Sequence, residues 1–396
     1  MPLVLYLLAL AVLAQGTSEF MLSGLLPDIA ADLDVSLAAA GSLTSAFALG
    51  MVAGAPLMAV ASLRWSPRGA LLGFLTAFLL AHVVGALTPS YGVLLATRVV
   101  GAVANAGFLA VALATATALV PANAKGRATS VLLGGVTLAC VAGVPAGALL
   151  GNLWGWRAAF WAVALVSLPA VAAILWSVPA GPPPAATSSA RRELRVLRRP
   201  RLLLVLLLGA LVNGATFCSF TYLAPLATEV GGIGEGWMPG VLALFGIGSF
   251  LGVTAAGRVA DARPLPLLAG GGAALLAGWL LLVPAAGSAP ALLVLTLVQG
   301  ALSFAVGSTL IARALYAADG APTLAGGLAT AALNVGAALG PWLGGQAIDA
   351  GHGYRSPLWV SAALVAAALA TGAVAGYARR RPRYVEPYET PAVGHP

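Results

Sequence analysis

The chain alternates between long apolar runs and short polar breaks. A helix that crosses a bilayer needs about 20 largely apolar residues. Runs of that kind fall near 3–28, 38–62, 69–88, 91–118, 129–150, 157–178, 201–228, 238–257, 265–285, 290–315, 323–348 and 356–378. They are unbroken rather than alternating, which predicts helices and not strands. The longest polar break before the tail is VPAGPPPAATSSARRELRVLRRP at 178–200. Its prolines, serines and arginines cannot span lipid, and it predicts a linker. The pattern predicts an all-α membrane protein of twelve transmembrane helices in two six-helix bundles. The expected divisions are an N-terminal bundle at 1–178, a linker at 179–200, a C-terminal bundle at 201–378 and a tail at 379–396.

Composition agrees. Residues are 60% hydrophobic and 8% charged, whereas a soluble domain carries about 25% charge. The surface therefore suits lipid. The net charge of +8 is unevenly placed. Alternate breaks carry Arg64 and Arg68, Lys125 and Arg127, the run from Arg191 to Arg201, Arg258 and Arg263, and the tail Arg379, Arg380, Arg381 and Arg383. The other breaks hold Asp28, Asp32, Asp34, Glu229 and Glu235, with Arg157 and Arg355 as their basic residues. The positive-inside rule puts both termini in the cytoplasm. The basic excess is thus a topology signal, and no nucleic-acid partner is expected. Cys140 and Cys218 both fall inside apolar runs and read as small core residues.

The halves repeat. Gly134, Gly143, Gly147 and Gly151 in the fifth run match Gly327, Gly336, Gly340 and Gly344 in the eleventh at an offset of 193. GWRAAFW at 155–161 matches GYRSPLW at 353–359 at an offset of 198, as do Gln15-Gly16 with Asn213-Gly214 and Pro27 with Pro225. Parallel six-helix repeats indicate a transporter with its site at the repeat interface. Glycines four apart allow close helix contact, and Pro145 and Pro341 favour bending there.

These residues resemble a known family. Gly327, Gly336, Gly340, Pro341, Gly344 and Gly345 fit the antiporter motif of the major facilitator superfamily, G-x8-G-x3-G-P-x2-G-G. The fifth run, where that motif usually lies, has a displaced version with Gly143, Pro145 and Gly147. GRVADAR at 257–263 is similar to the family's loop signature, with Arg258 and Asp261 expected to latch helix ends. LLATRVVGA at 94–102 resembles the fourth-helix motif, whose arginine is Arg98. LALAVLAQGTSEFMLSGLLPDIAADLDVS, ANAGFLAVALATATALVPAN, FGIGSFLGVTAAGR and ALSFAVGSTLI look like actinobacterial chloramphenicol exporters of the drug:proton antiporter group. The resemblance implies the major facilitator fold in a bacterial plasma membrane. It also implies proton-driven efflux of chloramphenicol or related amphipathic drugs. A sugar or nucleoside exporter, or a non-transporting membrane sensor, are the alternative readings, since fold does not fix function.

Glu19 is the leading candidate for proton coupling. It is a lone acid within an apolar run, and intramembrane acids usually face a cavity or a partner. Gln15, Glu19 and Ser23 recur every four residues and would form one polar stripe. Arg98 is the expected partner. Counted from their helix ends, Arg98 lies about 10 Å deep and Glu19 about 12 Å; the family fold sets their helices side by side. Asn105 shares the face of Arg98, seven residues on. Asn213, Gln299 and Asn334 are its analogues in the second half. Phe217, Phe220 and Tyr222 would stack on an aromatic drug. His82 reads as a satisfied core histidine.

No phosphate-binding loop, metal-ligand spacing or zinc-protease motif occurs in the sequence. No cofactor, metal, ATPase subunit or enzymatic activity is expected. The expected partners are the drug, protons and the lipid bilayer.

Overall fold

The computed structural model describes residues 2–62, 65–121, 125–178, 199–259, 264–318 and 322–380. The linker at 179–198, the tail beyond 380, and Asp261 and Arg263 lie outside the described residues.

The helices are α1 (Leu3–Phe20), α2 (Leu26–Asp32), α3 (Leu37–Ser62), α4 (Pro67–Leu87), α5 (Tyr91–Ala118), α6 (Lys125–Leu138), α7 (Val144–Trp154) and α8 (Trp156–Ser177). In the second half come α9 (Pro200–Thr221), α10 (Met238–Val259), α11 (Pro264–Ala285), α12 (Ala289–Ala317), α13 (Pro322–Ala347) and α14 (Ser356–Arg380). A π turn at Ala139–Gly143 joins α6 to α7, so together they form the fifth span. Eleven stretches among the described residues are long and apolar enough to cross a membrane. The twelfth span is α13, a helix of 26 residues.

The first span differs from the expected 3–28 helix. α1 stops at Phe20, a 3-10 turn covers Met21–Gly24, and α2 restarts the helix. Pro27 lies in the first turn of α2, where its missing N–H costs nothing. Ser23 therefore leaves the four-residue stripe with Gln15 and Glu19. Its hydroxyl donates to the Phe20 carbonyl at 3.0 Å instead.

Packing repeats between the halves. α1 packs on α6 and α8, as α9 packs on α13 and α14. α3 with α5, α4 with α5 and α4 with α8 match α10 with α12, α11 with α12 and α11 with α14. The bundles meet along α3 with α13, and along the π turn and α7 with α10. Each half turns into its last helix through a glycine at positive φ, Gly155 at 81° and Gly353 at 73°, a conformation that a side chain disfavours.

Four of the motif glycines in α13 line a helix interface. A Cβ on Gly336 would strike the Ala210 carbonyl, and one on Gly340 the Gly214 carbonyl, both in α9. Gly344 faces Cys218 and Tyr222, and Gly345 faces Tyr222 and Ala38. In the fifth span Gly143 faces Thr17, Gly147 faces Met21 and Gly151 faces Leu25. The outermost members depart from the expected stripe. Gly134 and Gly327 are exposed and have nothing within 4 Å of a Cβ. The next residue, Gly135, makes the contact in the first half, against the Ala9 carbonyl.

Exposed tryptophans mark the two ends. Trp154 closes α7, Trp237 precedes α10 and Trp359 lies in the first turn of α14, whereas Trp65 precedes α4 and Trp176 lies in the last turn of α8. Such belts suit the two membrane interfaces. At the Asp32 end, an Arg157 N–H donates to the Asp32 carboxylate at 2.5 Å and another to the Thr88 carbonyl at 3.1 Å. The Arg157 hydrogen bond holds the Asp32 carboxyl below its usual range. The pair is largely exposed, so it contributes at most about 1 kcal/mol.

Candidate functional site

Arg98 on α5 is the largest fully buried side chain among the described residues. One of its terminal nitrogens donates to the Ser18 hydroxyl and the other to the Ser18 carbonyl, each at 2.8 Å. The guanidinium lies 4.3 Å from the centre of the Phe47 ring, a cation–π contact. Its Nε has no partner among the described residues. The network continues to α4. His82 Nδ1 faces the Phe78 carbonyl at 2.8 Å, and in the neutral ring this makes Nδ1 the donor. Nε2 then accepts the Ser18 hydroxyl proton at 2.6 Å. His82 is thus the satisfied core histidine expected, but it also belongs to the scaffold of Arg98.

Glu19 is half-buried and makes no ion pair with Arg98, whose two terminal nitrogens each bond to the preceding residue. Glu19 and Arg98 lie within coulombic reach of one another, and Glu19 also reaches the Cys140 thiol. Sequence spacing set these two charges at one depth. It carries no information on whether they touch, and in the structure the terminal nitrogens of the guanidinium bond to Ser18 instead.

Cys140 stands in the wall of a small, narrow pocket between the bundles. Phe20, Cys140 and Val144 contribute from one half, and Thr216, Phe217, Phe220, Phe245 and Phe304 from the other. Five phenylalanines run along it in sequence of contact. Centroids are 5.6 Å apart for Phe20 and Phe217, 6.4 Å for Phe217 and Phe220, 4.6 Å for Phe220 and Phe245, and 6.3 Å for Phe245 and Phe304. The π turn at Ala139–Gly143 brings Cys140 to α10, where Gly246 sits against the Cys140 carbonyl. Such turns recur at functional sites.

The remaining candidates scatter. Phe217 and Phe220 line the cavity, but Tyr222 does not. Its hydroxyl donates to the Pro341 carbonyl at 2.8 Å beside Gly41. Asn213 ties α9 to the Leu333 carbonyl of α13 at 2.8 Å, and Asn334 bonds within its own helix to the Thr330 carbonyl. Gln299 donates to the Leu275 carbonyl at 3.2 Å. Asn105 is buried away from the cavity wall, and both amide atoms of Gln15 are buried without a partner among the described residues. Arg258 is exposed in the last turn of α10. Both cysteines are free thiols. Ser18, Phe20, Phe245 and Phe304 escaped the sequence reading. Phe20 was signalled by its place beside Glu19. Phe245 and Phe304 carry no motif, and only the packing of α10 and α12 brings them in.

A membrane-embedded helical repeat around a central cavity defines a transporter, and the comparisons give the class. The chain belongs to the Major Facilitator Superfamily, whose profile matches residues 8–326. It is 59% identical over 372 residues to a chloramphenicol resistance protein of Streptomyces lividans, covering 93% of this chain and 95% of that one. It is 34% identical over 378 residues to the inner membrane transport protein YdhP of Escherichia coli K12, covering 96% of each. Among solved structures, a bacterial homolog of the human lysosomal transporter Spinster, in an inward-facing, unoccupied conformation, matches with a TM-score of 0.76 at 18% identity. That match covers 94% of this chain and 96% of the other, and it speaks to the fold alone.

Proposed function

We propose that this protein exports chloramphenicol or closely related aromatic antibiotics from a bacterial cell in exchange for protons. The observation that carries the reading is a single juxtaposition. The half-buried acid Glu19 immediately precedes Phe20, which walls a largely aromatic pocket between the bundles. A phenyl ring stacks well there. A sugar would need many hydrogen-bond partners that these walls lack. The named S. lividans relative supports the same substrate class.

In this reading the linker at 179–200, the tail at 379–396 and both termini face the cytoplasm, so the Asp32 end faces outward. Glu19 takes a proton from outside as drug leaves. It releases that proton inside as drug enters from the cytoplasm. Binding of either cargo shifts the balance between inward- and outward-open forms, which couples the two flows. Arg98, fixed on Ser18, is a buried positive charge within coulombic reach of Glu19. The chain then needs no ATPase subunit and catalyses no chemistry.

The test is expression in a host stripped of its own pumps. Chloramphenicol tolerance should rise, and adding drug to energised inverted vesicles should release protons from them. Glu19→Gln should insert normally yet abolish both effects. Full tolerance in that variant would remove Glu19 from the mechanism, and no tolerance with the parent protein would remove the substrate assignment.

A further inference from the structure

The two bundles differ where the repeat pairs their most polar positions. An offset of 198 pairs α5 with α12, matching Ser90 with Ser288 at the helix caps and buried Leu94 with buried Leu292. It takes Arg98 to Thr296. An offset of 197 pairs α4 with α11, matching the opening prolines Pro67 and Pro264 and buried Phe78 with buried Leu275. It takes His82 to Trp279. Thus the first bundle is filled by a long guanidinium, while the second has a short threonine. A small pocket, with room for a single hydroxyl-sized group, lies there, lined by Trp279, Thr296 and Gln299 among others.

Those three side chains are 3%, 2% and 0% exposed. Trp279 Nε1, Thr296 Oγ1 and Gln299 Oε1 have no hydrogen-bond partner among the described residues. The Gln299 amide is oriented by its bond to the Leu275 carbonyl, which leaves Oε1 free. An unpartnered buried polar group costs about 1–3 kcal/mol, so three in one pocket call for a ligand. The set is one pure donor, one pure acceptor and one hydroxyl that is both. No charged side chain lines the pocket, so a cation or an anion finds no counter-charge. A neutral hydroxyl fits: it accepts from the indole N–H and donates to the amide oxygen. Phe220 and Phe245, stacked 4.6 Å apart, belong to the walls of both this pocket and the aromatic cavity.

We propose that this pocket binds a hydroxyl group of the exported drug while the aromatic ring of the same molecule occupies the adjoining cavity. The inference rests on the proposed export of phenicols and adds the group that sets their selection. A hydroxyl oxygen has a second source in buried water, and the test separates the two. Efflux of chloramphenicol is compared with that of the analogue in which fluorine replaces its primary hydroxyl. The parent protein should favour the hydroxylated drug by about tenfold in kcat/KM, because fluorine cannot donate and leaves Gln299 unpaired. Gln299→Leu and, independently, Gln299→Met remove that acceptor and should bring the preference close to unity. Equal efflux of both compounds by the parent protein, or a preference retained in both variants, would overturn the proposal and leave water as the occupant. Failure to export either compound would instead overturn the underlying functional reading, and this inference with it.

Discussion

A guanidinium buried in an apolar bundle needs acceptors for several donors at once. Arg98 finds two of them on one residue, the carbonyl and hydroxyl of Ser18, and a ring face on Phe47. Ser18 is therefore the hinge of a network that spans α1, α4 and α5. Ser18→Ala should remove one acceptor from Arg98 and one donor from His82 together. The expected loss is about 1–3 kcal/mol of stability, read as a lower melting temperature in detergent. An unchanged melting temperature would mean that the network contributes little. Arg98→Lys should not substitute, since an ammonium lacks the planar fork that reaches both Ser18 oxygens. Its melting temperature should fall at least as far. The sequence marks Glu19 and Arg98 because a charge inside an apolar run is conspicuous. It does not mark Ser18, because hydroxyls are common in membrane helices and bond mostly to their own backbone. Phe245 and Phe304 were likewise silent, as phenylalanines among many apolar residues.

At the scale of the element, one motif contains glycines with opposite roles. Gly336 and Gly340 let α13 lie directly on the α9 backbone, so a methyl group at either must push two helices apart. Gly336→Ala and Gly340→Ala should each cost about 1–3 kcal/mol. Gly327 has open space around its Cβ position, so Gly327→Ala should be neutral or add about 0.5–1 kcal/mol by lowering chain entropy. Melting temperatures of the three variants should split accordingly, and a uniform loss would refute the packing role assigned to the stripe. Spacing alone could not separate these glycines, because a period of nine, four and four fits a face only approximately over several turns. The same limit hid the break in the first span. Hydropathy runs smoothly through residues 20–26, and only Pro27 hinted that the helix restarts there.

At the scale of the whole molecule, hydropathy found the twelve spans and the repeat found their grouping. Both are averages over many residues and survive local irregularity. Which end of the interface is shut depends instead on a few polar contacts. At the Asp32 end Ser36 donates to Asp349 at 3.4 Å, across α3 and the turn after α13. Asn152, at the end of α7, donates to the Glu235 carbonyl just before α10 at 3.1 Å. The two contacts occupy nearly equivalent places in the repeat, one on each side of the interface. Each is exposed, and exposed contacts of this kind contribute about 1 kcal/mol or less. A latch that weak can open within a transport cycle, as rocking of one bundle against the other requires. A covalent latch cannot. Ser36→Cys with Asp349→Cys, in a background where Cys140 and Cys218 are serine, should therefore cross-link under oxidation and stop efflux. Reduction should restore it. Efflux at the parental rate from fully cross-linked protein would show that this end stays shut throughout the cycle, and alternating access about the aromatic cavity would then have to be abandoned.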